Sequence, residues 1–150
     1  MRLPHNCLIL VADGRKMLLL RNRGMADAPD LVVEYGEEKP NPSDADQKTD
    51  LAGRRPAIGT PGQASVSEPD YHQLTEDRFT ARIADRLNVL ALGNDLSPLV
   101  LIAAPRVLGV IRPLLHRQVR ARIIAEIEKV LTGHPTERIA QMLVDEQQPA

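Results

Sequence analysis

The chain has 150 residues, 43% of them hydrophobic and 26% charged, with a formal net charge of -1; it is long enough for one domain with a core and too short for two. That balance excludes a disordered composition and a global nucleic-acid polycation. The single cysteine, Cys7, rules out an internal disulfide, and no stretch approaches the roughly 18 uninterrupted apolar residues of a membrane span.

From the N-terminus, Arg2 is followed by Pro4 and a short apolar run, Cys7 to Ala12, that stops at Asp13 without a small-residue cleavage pattern. The expectation is a cytoplasmic protein that is not exported. Cys7 to Ala12 has no polar alternation and reads as a strand covered on both faces. Asp13-Gly14 predicts a type I′ hairpin turn with positive φ. Lys16 to Leu20 returns antiparallel, and Leu31 to Tyr35 makes a third strand, interrupted on one face by Glu34 as expected near a sheet edge.

From residue 37 to 69 there are five prolines, three glycines and little to bury, which predicts a long polar, mobile loop. Seven acids face four bases between Glu37 and Asp70. Asp70 with Gln73 reads as a capping box, opening a helix whose inward stripe is Leu74, Phe79, Ile83, Leu87 and Leu90. Gly93 is placed to end it in a left-handed cap.

Leu99 to Ala103 is a second wholly apolar strand. The helix after it starts at Pro105 and carries Val107, Leu108, Ile111, Leu114 and Leu115 inward, with Gly109 allowing close approach to the sheet. Pro113 predicts a kink or a break. Arg122 to Glu128 alternates as a half-buried edge strand, although the same letters are compatible with a helix. A last helix opens at His134-Pro135 with Ile139, Met142 and Leu143 on one side. The order β-β-β, loop, α-β-α-β-α predicts a single α/β domain over 1–150, built on a five-stranded mixed sheet in the order 3-2-1-4-5, a ribonuclease H-like arrangement.

Few residues are placed for chemistry. The first strand supplies one terminal carboxylate, Asp13, and Leu99 to Ala103 none, whereas two-metal nucleases of this sheet type need several converging carboxylates. A turn role is the expectation for Asp13. His5, His72, His116 and His134 show no metal-ligand spacing. Gly59-Thr60-Pro61-Gly62 lacks the lysine of a phosphate loop. No metal and no cofactor are expected. With two tyrosines, one phenylalanine and no tryptophan, base stacking has little to work with. Between Pro105 and His134, six basic residues (Arg106, Arg112, Arg117, Arg120, Arg122, Lys129) face two acids. The five arginines are candidates for salt-sensitive contact with phosphates, against the alternative of a solvated helix face.

Val11-Ala12-Asp13-Gly14, Asp50-Leu51-Ala52-Gly53-Arg54, Phe79, and Leu101-Ile102-Ala103-Ala104-Pro105-Arg106-Val107-Leu108-Gly109 with Arg112 together resemble the bacterial host-attachment family, proteins required for attachment to host cells. Members of that family are similar in fold to the middle domain of archaeal and eukaryotic release factors, which is ribonuclease H-like. The resemblance implies a role in adhesion to a host. Release factors carry a Gly-Gly-Gln loop between the third strand and the next helix, and Pro61-Gly62-Gln63 stands in that segment without the first glycine. Proline at position 113 departs from the family's helix.

The resulting expectation is a non-enzymatic binding domain that engages RNA or the translation machinery. Its binding residues are Arg106, Arg112, Arg117, Arg120 and Arg122, together with Asp50, Gly53 and Arg54 of the loop. One alternative is a hydrolase of aminoacyl- or peptidyl-tRNA esters using Gln63. The other is a protein-interaction scaffold that affects adhesion through the acidic loop.

Overall fold

The computed structural model describes residues 1–39, 61–94 and 97–146, and for 61–72 the course of the backbone alone. Five strands form one sheet: β1 Leu8–Ala12, β2 Lys16–Asn22, β3 Leu31–Glu38, β4 Leu99–Ala103 and β5 Ile123–Ile127. Their order is β3-β2-β1-β4-β5, as predicted. β1 pairs antiparallel with β2 and parallel with β4, which runs parallel to β5. Every residue of β1 and β4 is buried, which is why both read as unbroken apolar runs.

One face of the sheet is covered by α1 (Pro61–Leu92), α2 (Pro105–Ile111) and the single turn α3 (Arg117–Arg120). Leu8, Leu10, Leu99 and Leu101 there meet Phe79, Ile83, Leu87, Leu108 and Ile111. Phe79 is 3% exposed, and its burial contributes ~1.5–3 kcal/mol. The other face is covered by α4 (Thr136–Asp145), where Ile139 and Leu143 close over Ile9, Val11, Val100 and Ile102.

Pro113 breaks the chain as expected. α2 stops at Ile111, a 3-10 turn spans Arg112–Leu114, and α3 follows. The strand alternative holds for β5, with Ile127 buried and Ile124 and Glu126 exposed. The edge reading of β3 holds too. Leu19 pairs with Tyr35 and Leu20 with Val33, so Glu34 is the extra residue of a bulge, where its carboxylate accepts from Arg21 (2.8 Å) and Arg23 (3.3 Å).

Several expectations are corrected. The loop predicted for 37–69 is shorter at both ends, because β3 runs to Glu38 and α1 begins at Pro61. Asp70 therefore lies inside the helix rather than at its N-cap; Gln73 donates to Asp77, 2.9 Å away, within the same helix. At ~1.5 Å per residue, 32 helical residues extend about 48 Å. The sheet's strands are five to eight residues long, or about 27 Å at most. α1 is thus longer than any strand it crosses, and among the described residues its buried apolar stripe is Phe79, Ile83, Ala84, Leu87 and Ala91.

The turn after β1 is not type I′, since no described glycine has positive φ. Asp13 makes that turn with its side chain, Oδ1 accepting from the Arg15 and Lys16 N–H groups at 2.7 Å each. Asn94, at φ 60°, takes the left-handed position after α1 in place of Gly93, an asparagine tolerating what most residues resist. Gly109 faces open space, so it does not bring α2 nearer the sheet. Leu74 and Leu114 are exposed rather than inward.

Candidate functional site

The candidate arginines fall into two groups. Arg106 sits at the start of α2, just past the carboxyl end of β4, with its guanidinium 3.8 Å from the Asp77 carboxylate of α1. Arg112, Arg117, Arg120 and Arg122 lie in the turns that precede β5, whose first residue Ile123 pairs with Leu99, the first of β4. These four are therefore at the amino end of the parallel strands and Arg106 at the carboxyl end. The structure brings Arg112 and Arg120 into contact, carries Arg117 and Arg122 on the same connection, and leaves Arg106 at the other end of the strands.

All four are exposed. Arg112 Nε donates to Glu126 at 2.7 Å, and Arg120 Nη2 donates to the Arg112 carbonyl at 2.8 Å. Arg112 and Arg120, with Pro113, Leu115, Ile123 and Glu126, line a cleft of about 560 Å³. The turn that carries them is tied to α1 by Asn88, which donates to the Leu114 carbonyl (3.0 Å) and accepts from the His116 N–H (2.8 Å). The Arg117 side chain has no ion-pair or hydrogen-bond partner among the described residues. Asn88 thus braces the turn, on which Arg112 and Arg120 are exposed but already bonded within the protein.

The other candidates are placed differently. Asp50, Gly53 and Arg54 lie outside the described residues. Pro61-Gly62-Gln63 forms the first turn of α1 rather than a loop, which suits proline at the first helical position. Asp13 is committed structurally: beyond its two backbone bonds, its Oδ2 accepts from the Thr132 hydroxyl at 2.6 Å. Among the described residues no group of three His, Cys, Asp or Glu is placed to hold a metal ion, and no helix is long and apolar enough to cross a membrane. Burial pushes the Cys7 thiol up from 9.0 to about 11, the nearby Arg21 charge offsetting part of it, so at neutral pH the group is a protonated, inert thiol.

Sequence reasoning missed one polar hub. Asn22 is fully buried; its Nδ2 donates to the Leu3 carbonyl at 2.9 Å, and its Oδ1 accepts from the Gly24 and Asp30 N–H groups at 2.9 and 3.0 Å. It closes the loop between β2 and β3, and an asparagine just past an apolar run is the one signal that pointed to it.

Residues 6–143 match bacterial archaeo-eukaryotic release factor family 12. The chain belongs to this family. The release-factor relationship expected from the sequence is thereby established, and it spans all five strands and most of α4. No curated protein matches the chain.

Proposed function

We propose that this release-factor-family domain is a ribonuclease H-like, non-enzymatic module that works in the cytoplasm and engages RNA of the translation machinery. Arg112, Arg117, Arg120 and Arg122 supply its phosphate contacts. The observation that carries this reading is the grouping of those four exposed arginines on one braced turn, in a chain whose family is named for release factors. Contacts of this kind position a phosphate backbone without reading sequence. An effect on attachment to host cells is then an indirect result of altered translation.

The test is sedimentation of the tagged protein with ribosomes on gradients, with and without ribonuclease. The expected result is comigration that ribonuclease abolishes and that Arg117→Glu/Arg120→Glu/Arg122→Glu eliminates while the unfolding midpoint holds. For four phosphate contacts on single-stranded RNA the affinity falls about 50-fold between 50 and 200 mM salt. Protein that stays at the top of the gradient under every condition refutes the reading and turns attention to the acidic segment between β3 and α1 as a protein-docking surface.

Family membership also favours a second reading, ester hydrolysis on aminoacyl- or peptidyl-tRNA by Gln63. It requires that Gln63→Ala lose turnover at unchanged RNA affinity. Absence of turnover in the unsubstituted protein removes it.

A further inference from the structure

Arg78, Arg82 and Arg86 recur at four-residue steps along α1, which places them on one face of the helix about 6 Å apart along its axis. That face lies against the carboxyl half of β3. Arg82 pairs with the Glu37 carboxylate, which also accepts the Tyr35 hydroxyl at 3.0 Å. The Arg86 guanidinium carbon lies 3.5 Å from the centre of the Tyr35 ring. Two clefts of about 340 and 280 Å³ adjoin here and share Glu37 and Arg82, so helix and strand enclose one trough.

We propose that this trough binds a nucleotide, with the base on the Tyr35–Arg86 stack and the phosphate at the Arg78 end. A guanidinium held on an aromatic ring by one face presents the other to a base. Arg86 is exposed, and Val89, 66% exposed, gives that end an apolar wall. The carboxylates fix the direction of binding. Asp85 lines the Tyr35 end, repelling phosphate while offering acceptors to base amino groups and ribose hydroxyls. At the other end Arg78, Arg82 and Lys39 outnumber Glu37 and Glu38, three cations to two anions.

Arg78 is exposed and its side chain has no partner among the described residues, leaving its guanidinium donors available. Arg82 keeps 67% of its side chain accessible while paired. Stacking on Tyr35 and the bond to Glu37 hold the site in shape before any ligand arrives, which lowers the ordering cost of binding. The site uses none of the arginines between 112 and 122 and stands or falls apart from them.

The same chemistry is offered by a free mononucleotide and by a nucleotide within single-stranded RNA. Calorimetric titration of the full chain with adenosine monophosphate and with a hexaadenylate strand separates the two. Arg78→Ala and Arg86→Ala are each expected to weaken binding about tenfold with the unfolding midpoint unchanged; Arg117→Glu/Arg120→Glu leaves the mononucleotide affinity as it was. Mononucleotide binding lost in the two alanine variants identifies a free-nucleotide site. Hexamer binding alone, lost in the same variants, identifies an RNA strand. The proposal is overturned if neither probe binds at millimolar concentration, or if binding survives both alanine variants. Hexamer binding that is lost only in Arg117→Glu/Arg120→Glu also overturns it, while supporting the arginine turn before β5.

Discussion

Replacing Asp13 separates a structural carboxylate from a catalytic one. Asp13 directly follows β1, where ribonuclease H-like nucleases hold metal, yet both of its oxygens are occupied by the protein itself. In Asp13→Ala, the Arg15 and Lys16 N–H groups lose their acceptor beside solvent, at ~0.5–1 kcal/mol each. The Thr132 hydroxyl, 6% exposed, is left without its acceptor, which adds ~1–1.5 kcal/mol. The sum is about 3 kcal/mol, or a fall of roughly 6–12 °C in Tm for a domain of this size. Asp13→Asn keeps the Oδ1 acceptor and offers Thr132 a donor in place of an acceptor, so it costs about 1 kcal/mol. Thr132→Val costs about as much, and less when Asp13 is already alanine, because the two effects share one bond. Urea unfolding of the four variants measures the series. A stable Asp13→Ala protein, or an Asp13→Asn as damaged as the alanine variant, would refute the structural assignment.

Two further outcomes are expected. A Cβ on Gly24 would stand 2.7 Å from the Asp30 backbone nitrogen and press on the Ala28 carbonyl, whereas one on Gly14 meets only the Glu76 carboxylate, 2.9 Å away at the end of a flexible chain. Thermal melts should therefore show Gly24→Ala several degrees below Gly14→Ala, and equal midpoints would contradict the packing of the β2–β3 loop. Cys7 is held protonated by burial, its thiol pushed up to about 11. The unfolded thiol ionises first, so the stability due to Cys7 is complete below pH 9 and is lost as pH rises from 9 towards 11, by at most ~1.4 kcal/mol per pH unit. The urea midpoint should fall more between pH 8 and pH 10 in the native protein than in Cys7→Ala, and iodoacetamide should modify Cys7 only on unfolding. Matching slopes, or rapid labelling of the folded protein, would count against a buried thiol.

The sheet was legible because its physics is local. Burial on both faces leaves β1 and β4 no polar position, and three short antiparallel runs followed by strands separated by helices permit few connections. What escaped depends on side chains acting on the backbone. The Asp-Gly pair was read for its glycine, but the aspartate carboxylate closes the turn and glycine's positive φ is not used. Lys16 to Leu20 reads as the whole of β2 because apolar residues stop there, while the strand continues to Asn22, whose buried amide bonds across the loop. Asn94 rather than Gly93 supplies the left-handed residue for the same reason: a local turn needs one tolerant residue, and the sequence offers two side by side.

The arginines show where charge counting stops being informative. Tallying bases between Pro105 and His134 joins Arg106 to Arg122, although parallel pairing of β4 and β5 sets them at opposite ends of the sheet. The same tally passes over Arg78, Arg82 and Arg86, whose segment also holds Glu76, Asp77 and Asp85 and so looks neutral. On a helix, charge is distributed by angle, and a four-residue step gathers the three arginines on one side. Tyr35 is 51 residues before Arg86 (86 − 35) and reaches it only because β3 runs along the sheet edge beneath α1. A repeat read at helical angle finds half of that trough in the sequence, and the strand order brings the other half to it.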